Sequence, residues 1–168
     1  MKIAVLVENQ YHVLEVWYPY LRLREAGIET ILVGTGQTDY KSKEGYSARE
    51  DLSIHKTKAR DYDGVIIPGG FAPDHMRREP KMAAFVREIF DAGKLVAAIC
   101  HGPWMMASAD ILKGKKATSF FAIKDDIVHA GAEYLDETVV VDNNLITSRN
   151  PYDLPAFCKA ILKFLKSE

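Results

Sequence analysis

Residues 95–103 read LVAAICHGP, and this stretch decides the fold of the 168-residue chain. The apolar run Leu95–Ile99 predicts a short strand that is buried on both faces. Pro103 is typical of the first turn of a helix, so a sharp turn from strand to helix is expected at Cys100. Unpaired N–H groups and the positive end of the helix dipole favour a thiolate at such a turn. Because the thiolate is the nucleophilic form, Cys100 indicates covalent chemistry, with His101 as a candidate base.

Apolar strands alternate with helices on both sides of this turn. Strands are predicted at residues 3–7, 28–33, 63–70, 116–119, 137–141 and 144–147, and further helices at 13–26, 80–92, 123–130 and 154–166. Residues 34–54 are expected to form a hairpin or a small excursion, and Asp153 is expected to cap the last helix. Strands that are apolar on both faces predict a three-layer α/β sandwich with a mostly parallel sheet. Since no repeat or linker interrupts the pattern, one domain over residues 1–168 is expected.

Composition excludes several classes of protein. The chain has 22 Lys and Arg residues against 23 Asp and Glu residues, so no overall charge favours nucleic acid or an anionic membrane. No apolar run is long enough to span a bilayer, and residues 1–8 predict a first strand rather than a signal peptide. The two cysteines, Cys100 and Cys158, form no disulfide framework, which favours the reducing cytoplasm. Neither metal-ligand pairs nor glycine-rich nucleotide motifs occur, so no metal and no cofactor are expected.

Three chemically distinctive segments follow predicted parallel strands. Glu8, Gly69-Gly70 and Cys100 each come at the carboxyl end of a strand, where doubly wound folds bind their ligands. We therefore expect them to line one pocket. The glycines form either a tight turn alone or a turn that aims a backbone N–H at an oxyanion. In the second case the N–H of His101 would be the other donor.

Glu15 is the remaining candidate, and two interpretations of it stay open. It lies between apolar neighbours in the first predicted helix, so it is either on the solvated face of that helix or a buried carboxylate that bonds to Cys100. A carboxylate beside a thiol must share a proton with it or repel the thiolate, which would raise the pKa of Glu15. Cys158 lies in the amphipathic last helix and is expected to be an ordinary core residue.

Five segments resemble the DJ/PfpI superfamily, and most closely its PfpI-type intracellular cysteine peptidases. They are residues 66–70 (IIPGG), 98–103 (AICHGP), 118–119 (TS), 123–126 (IKDD) and 147–149 (TSR), and the similarity extends over essentially the whole chain. The resemblance implies a flavodoxin-like sandwich, a nucleophile elbow, and assembly into homodimers or homohexamers. It also implies that Cys100 is the nucleophile, that His101 is the base, that the N–H groups of Gly70 and His101 bind the oxyanion, and that Glu15 contacts the cysteine.

Three further positions bear on the substrate through the same resemblance. Asp74 matches an acidic residue that reaches a neighbouring subunit and orients the histidine, but the family has a longer glutamate there. Phe120 stands where PfpI-type peptidases have tyrosine, which removes a hydroxyl that could bind substrate. His12 stands where an acidic residue is expected, which alters the charge of the pocket.

These residues are compatible with three functions. In the first, the Cys100 thiolate attacks methylglyoxal, glyoxal or an early glycation adduct, which is a glyoxalase or deglycase reaction without a cofactor. In the second, Cys100, His101 and Asp74 of another subunit form a peptidase triad. In the third, which is not enzymatic, the chain is a redox sensor or holding chaperone whose Cys100 is oxidised to a sulfinic acid near Glu15. Phe120 and the short Asp74 favour a small carbonyl over a peptide. The related glutamine amidotransferases are excluded because no His-x-Glu pair lies downstream of the cysteine.

Overall fold

The computed structural model describes residues 1–166 and contains the predicted alternation of strands and helices. The strands are β1 (Lys2–Leu6), β2 (Glu29–Gly34), β3 (Asp39–Lys41), β4 (Ser47–Arg49), β5 (Leu52–Ser53), β6 (Gly64–Ile67), β7 (Leu95–Ile99), β8 (Lys116–Ala117), β9 (Glu133–Tyr134), β10 (Val139–Asp142) and β11 (Leu145–Ser148). The α-helices are α1 (Val13–Glu25), α2 (Ala72–Met76), α3 (Pro80–Asp91), α4 (Pro103–Ser108), α5 (Lys124–His129) and α6 (Leu154–Lys166).

Seven strands of the described chain form the main sheet, in the spatial order β10-β11-β7-β6-β1-β2-β5. Every neighbouring pair in it is parallel except β10 and β11, which are joined by a two-residue turn at Asn143-Asn144. Side chains on both faces of the inner strand β1 are buried, from Ile3 to Leu6. This burial explains why the strands are apolar throughout rather than alternating. The mostly parallel sheet predicted from the sequence is confirmed.

Two groups of helices cover the sheet. In one group, α1 packs on α6, and these helices also contact β1, β2, β7 and β11. In the other, α3 packs on α4, and both contact β7. Helices therefore cover both faces of the strands between the two groups, and the three-layer α/β sandwich is confirmed. None of the helices within residues 1–166 is long and apolar enough to cross a bilayer.

Local departures from the sequence predictions lie outside the sheet centre. Residues 34–54 form the hairpin alternative, in which β3 and β4 pair antiparallel. The short helix α2, which follows the glycine turn, was not predicted. Asp153 was expected to cap α6, but its carboxylate accepts a hydrogen bond of 2.9 Å from Nε of Arg149. That partner lies in the preceding loop, so Asp153 ties the loop to the start of the helix.

The strand order brings the candidate residues to one edge of the sheet. Strands β1, β6 and β7 are neighbours, and their carboxyl ends lead into Glu8, Gly69-Gly70 and Cys100 respectively. Parallel pairing places these ends side by side. The edge above β6 and β7 therefore holds the glycine turn and the cysteine together.

Candidate active site

Cys100 occupies the turn between β7 and α4 in a left-handed backbone conformation, with φ of +62°. A side chain in this region is strained and must be held by its surroundings. Two hydrogen bonds hold it: the N–H of Cys100 donates to the carbonyl of Ser148 at 3.0 Å, and the N–H of Phe120 donates to the carbonyl of Cys100 at 2.9 Å. The predicted turn from strand to helix is therefore present, and Sγ lies 3.3 Å from Nδ1 of His101.

The glycine turn is packed so closely by its neighbours that neither glycine can carry a side chain. Gly70 has φ of +65°, and a Cβ there would lie 2.6 Å from the backbone nitrogen of His12. A Cβ on Gly69 would lie 2.7 Å from Oε2 of Glu15 and 2.8 Å from Cβ of Cys100. The backbone N–H groups of Gly70 and His101 favour the thiolate of Cys100. The turn is thus a close approach of backbone to Cys100, with two N–H groups placed to stabilise a negative charge there.

Glu15 is a buried carboxylate, so its alternative placement on the solvated face of α1 is wrong. Its side chain has no exposed surface, and Oε2 accepts a hydrogen bond of 2.7 Å from the N–H of Gly69. Oε1 is also buried, and it makes no hydrogen bond to the described residues. Burial raises the pKa of Glu15 to about 7, although the Gly69 N–H and the Cys100 thiol both act to lower it. A carboxyl that titrates near neutrality can both give and take a proton.

Burial also raises the pKa of the Cys100 thiol, and the neighbouring Glu15 carboxylate raises it further, to about 12. This direction is opposite to the one expected from a helix start, because the cysteine is desolvated and α4 is only six residues long. The two groups titrate as a pair, which loses its first proton near pH 7 and retains the second far above it. When that second proton lies on Glu15, no carboxylate charge opposes the thiolate, and the N–H groups of Gly70 and His101 stabilise it.

His101 lies beside the cysteine, and its surroundings favour the neutral imidazole. Burial lowers the pKa of its imidazole, and the positive charge of Lys43 lowers it further. In the neutral ring, the nitrogen that faces Sγ is able to accept a proton when it carries none of its own. Its plane is stacked on Phe120, with 5.1 Å between ring centroids, and Trp104 contacts its edge at the same distance. These contacts orient the imidazole without any carboxylate from the described part of the same chain.

Sequence comparison identifies the family of the chain. A family model described as the DJ-1/PfpI family matches residues 1–164. The chain belongs to the DJ-1/PfpI family. A protein of Archaeoglobus fulgidus is 44% identical over 99% of each chain. Deglycase PfpI of Pyrococcus furiosus is 41% identical over 99% of this chain and 100% of its own. YraA of Bacillus subtilis, which is named provisionally as a cysteine protease, is 39% identical over 98% of each.

Solved structures of the DJ-1/PfpI family share the fold. A two-domain protein of Anabaena variabilis, with a DJ-1/ThiJ/PfpI-like and a ferritin-like domain, superposes with a TM-score of 0.96 at 47% identity. The superposition covers 98% of the present chain and 48% of the Anabaena protein, so the present chain spans about half the length of that protein. DJ-1beta of Drosophila melanogaster superposes with a TM-score of 0.89 at 30% identity, over 95% of this chain and 87% of that one. The predicted resemblance and the flavodoxin-like fold are both confirmed.

The remaining predicted residues lie around the centre but do not all face it. His12 precedes α1, and its Nε2 lies 3.7 Å from Glu44. Asp74 lies in α2, where its carboxylate pairs with Arg78. Glu8 was expected to share the cysteine's pocket, but its carboxylate turns towards β2 and accepts hydrogen bonds from the Thr35 hydroxyl and from the backbone N–H of Asn9. Glu8 therefore belongs to a separate pocket of about 430 Å³.

The charged turn between β3 and β4 lies beside the site although it was not predicted to do so. The carboxylate of Glu44 accepts a hydrogen bond of 3.1 Å from the N–H of Val13, which fixes the turn against the start of α1. The backbone N–H of Lys43 donates to the carbonyl of Tyr11 at 3.0 Å. The charge of Lys43 lowers the pKa values of Glu15 and His101. No local pattern in residues 34–54 could have signalled this, because the turn approaches the site only through tertiary packing.

We expect the free energy of unfolding to depend on pH because the Glu15 carboxyl is buried. Its pKa is raised from 4.5 to about 7, so between these values the folded chain keeps a proton that the unfolded chain releases. Stability should therefore fall as the pH rises through this window, by about 3 kcal/mol at roughly 1.4 kcal/mol per pH unit. Urea unfolding of wild type and Glu15→Gln across the window measures it, because the variant lacks this loss. If the free energy of unfolding varied with pH in the same way for both proteins, the raised pKa of Glu15 would be contradicted. Glu8→Gln is the control for the replacement of a buried carboxylate.

Proposed function

We propose that this member of the DJ-1/PfpI family is a cofactor-independent enzyme that acts on reactive small carbonyls, as a glyoxalase or a protein deglycase. The observation that carries the proposal is the buried Glu15 carboxyl beside Cys100. A carboxyl with a pKa of about 7, next to a nucleophile and two oxyanion donors, suits a reaction that moves protons on carbon and oxygen. Two relatives that are named deglycases support the proposal, because the similarity to each extends over the whole of its length.

The reaction with methylglyoxal begins at the aldehyde carbon. The Cys100 thiolate attacks this carbon, and the carbonyl oxygen becomes an oxyanion beside the N–H groups of Gly70 and His101. A proton from Glu15 or His101 then gives the hemithioacetal. The same groups move the hydrogen of the former aldehyde carbon to the neighbouring carbon and the hydroxyl proton to the neighbouring oxygen, which turns the adduct into a lactoyl thioester. Water hydrolyses the thioester to lactate and regenerates Cys100. The net reaction adds one water and needs no external oxidant or reductant.

The deglycase reaction uses the same centre. An early glycation adduct contains the aldehyde-derived carbon attached to a protein side chain, and Cys100 can take this carbon from it. The released side chain then leaves with a proton from Glu15 or His101. Because the carbon remains on sulfur as the same type of adduct, its later steps are those of free methylglyoxal. The thiol must stay reduced for either reaction, which is consistent with the cytoplasmic location proposed here.

A peptidase activity is the second candidate. The half-exposed Asp74 follows the glycine turn in α2, where its side chain is able to reach another subunit, and YraA carries a name of this kind. In this function Asp74 of a neighbouring subunit orients His101, and the enzyme is a homodimer or homohexamer. Phe120 argues against it, because the ring carries no hydroxyl for a peptide carbonyl or a leaving amine.

Parallel assays separate the two functions. Purified protein is incubated with methylglyoxal, with a methylglyoxal-modified peptide and with fluorogenic peptides, without any added cofactor. We expect lactate from the first two substrates and no cleavage of the third. Cleavage of peptides without formation of lactate would make the protein a peptidase. If neither occurs while Cys100 is oxidised readily to a sulfinic acid, the redox-sensor hypothesis replaces both.

The peptidase alternative makes its own prediction at Asp74. If it holds, Asp74→Asn should lower peptide hydrolysis by roughly 10⁴-fold, the loss known for a triad whose histidine is no longer oriented. Asp91→Asn is a matched control. Asp91 forms an exposed ion pair with Arg87, which lies one turn before it on the same helix, just as Asp74 pairs with Arg78. Light scattering on the same samples gives the oligomeric state. Full hydrolysis by Asp74→Asn, or by a monomer, would exclude the intersubunit triad.

A further inference from the structure

The charged turn between β3 and β4, residues 42–46, carries Lys43 to the edge of the active site. Tyr11 forms a bridge to Ser42 on one side and a bridge to Gly70 on the other. The N–H of Lys43 donates to the carbonyl of Tyr11 at 3.0 Å. Bridged segments lie about 4.8 Å apart, so the backbone of the charged turn is about 10 Å from the glycine turn that packs beside the cysteine.

Hydrogen bonds hold the charged turn in one conformation. The hydroxyl of the buried Ser42 accepts hydrogen bonds from the N–H groups of Glu44 and Tyr46, at 3.1 and 3.0 Å. The N–H of Ser42 donates to the carbonyl of Tyr46 at 2.8 Å. The Glu44 carboxylate accepts the hydrogen bond from Val13 and so ties the turn to the start of α1. The backbone of Lys43 is therefore placed before any ligand binds, which lowers the entropic cost of binding.

The ammonium group of Lys43 has unused hydrogen-bond donors. Its Nζ lies 3.9 Å from Oε1 of Glu44, and the same oxygen lies 3.7 Å from Nε2 of His12, beside the site. A separation of 3.9 Å is too long for a hydrogen bond, and Nζ makes none to the described residues. The side chain is 42% exposed. Because an ammonium group is a donor only, an anion that reaches this edge can bind it without displacing a protein partner.

The positive charge of Lys43 reaches the reacting groups. Burial lowers the pKa of the His101 imidazole, and the charge of Lys43 lowers it further. Burial raises the pKa of Glu15, and there Lys43 opposes the rise more strongly than the neighbouring Glu44 adds to it. The ammonium group thus outweighs the carboxylate beside it at the centre. The field of the charged turn therefore attracts an anion that approaches Cys100.

We infer that Lys43 selects carbonyl substrates that carry a carboxylate, such as γ,δ-dioxovalerate, over uncharged ones such as methylglyoxal. This inference deepens the proposed function and rests on it for the reaction. Cys100 attacks the aldehyde carbon, the hydrogen and the proton move as they do with methylglyoxal, and water releases α-hydroxyglutarate. The remote carboxylate takes no part in these steps and accepts hydrogen bonds from Nζ of Lys43. Lys43 is a specificity determinant, since it touches the carboxylate and not the reacting atoms.

Two alkylating probes test Lys43 without any need for turnover. Iodoacetate and iodoacetamide have the same reactive carbon and differ in charge, and mass spectrometry reports labelling of Cys100. In Lys43→Gln the ratio of the iodoacetate rate to the iodoacetamide rate should fall about two- to fivefold, the value of a solvent-exposed ion pair. Any change in the nucleophilicity of Cys100 itself cancels in this ratio. Lys43→Arg should keep the ratio, and added salt should lower the wild-type ratio towards that of Lys43→Gln.

Lys41→Gln is the matched control for the loss of a positive charge. Lys41 is an exposed lysine of the same hairpin, in β3, where it lies opposite Ser47 of β4. We expect this variant to keep the wild-type ratio. An equal fall in Lys41→Gln and Lys43→Gln would mean that only the total charge of the hairpin matters, and it would overturn the inference. An unchanged ratio in Lys43→Gln would overturn it as well.

Turnover gives the second readout. The ratio of kcat/KM for γ,δ-dioxovalerate to that for methylglyoxal should fall in Lys43→Gln by a similar factor, through a higher KM for γ,δ-dioxovalerate. If both carbonyls are turned over and this ratio does not change, the inference is overturned and the proposed function stands. If neither carbonyl is turned over but the alkylation ratio responds, the proposed function fails and the preference of Lys43 for an anion stands.

Discussion

Cys100→Ser is expected to lower methylglyoxal turnover by on the order of 10⁴-fold or more, because it removes the atom on which every covalent step takes place. The serine hydroxyl is similar in size and keeps the left-handed turn, but it is far less acidic and less nucleophilic than a thiol. The N–H groups of Gly70 and His101 remain in place, so substrate binding should be largely retained. The measurement is lactate formation under single-turnover and steady-state conditions, with Cys100→Ala as a second variant.

Cys158→Ser is the matched control for the loss of a thiol. Cys158 lies in α6, is 2% exposed, and burial raises its pKa to about 12. Burial outweighs the opposing charge of Arg22, so the thiol of Cys158 stays protonated and is a poor nucleophile. We expect Cys158→Ser to lower stability, since a hydroxyl replaces an apolar sulfur in the core, while lactate formation per folded molecule is kept. Undiminished turnover in Cys100→Ser, or its loss in Cys158→Ser alone, would place the chemistry elsewhere.

Much of the fold could be predicted from local patterns. The strand Leu95–Ile99 matches its predicted bounds, and α3 and α6 end within one residue of theirs, because a buried strand and an amphipathic helix each impose a distinct apolar period. The edge of the sheet that carries the site could also be predicted from the sequence, since the carboxyl ends of parallel strands lie side by side. Short elements were harder. The helix α2 has only five residues, and β9, which was also not predicted, has two and pairs with the predicted strand β8.

The candidate site was predictable in its members but not in its electrostatics. Cys100, His101 and the glycine turn are marked by their neighbours in the sequence. Whether Glu15 is solvated or buried depends on the packing of α1 against the glycine turn, which no local pattern contains. The direction of the pKa shift at Cys100 was wrong for the same reason, because desolvation by the surrounding core outweighs the short helix α4. Tertiary packing also brings Lys43 to the site.

Glu15→Gln is expected to lower carbonyl turnover by roughly 10²–10⁴-fold, the value of general acid–base catalysis. The glutamine carbonyl can still accept the 2.7 Å hydrogen bond from the N–H of Gly69, and its amide can still donate to the thiolate. The amide cannot take a proton from carbon at neutral pH. The variant thus removes the proton carrier while it keeps the shape of the site. The loss should appear in kcat, and the wild-type step in the pH–rate profile near pH 7 should disappear.

Alkylation of Cys100 distinguishes this loss from a damaged nucleophile. In Glu15→Gln no carboxylate opposes the thiolate, so iodoacetamide should label Cys100 at least as fast as in wild type. Glu8→Gln replaces another buried carboxylate on the same edge of the sheet, whose partners are Thr35 and Asn9 rather than the cysteine, and it should keep full turnover. Slow labelling together with slow turnover would mean that Glu15 only supports the thiolate. Full turnover in Glu15→Gln would leave His101, 3.3 Å from the sulfur, as the group that carries the proton.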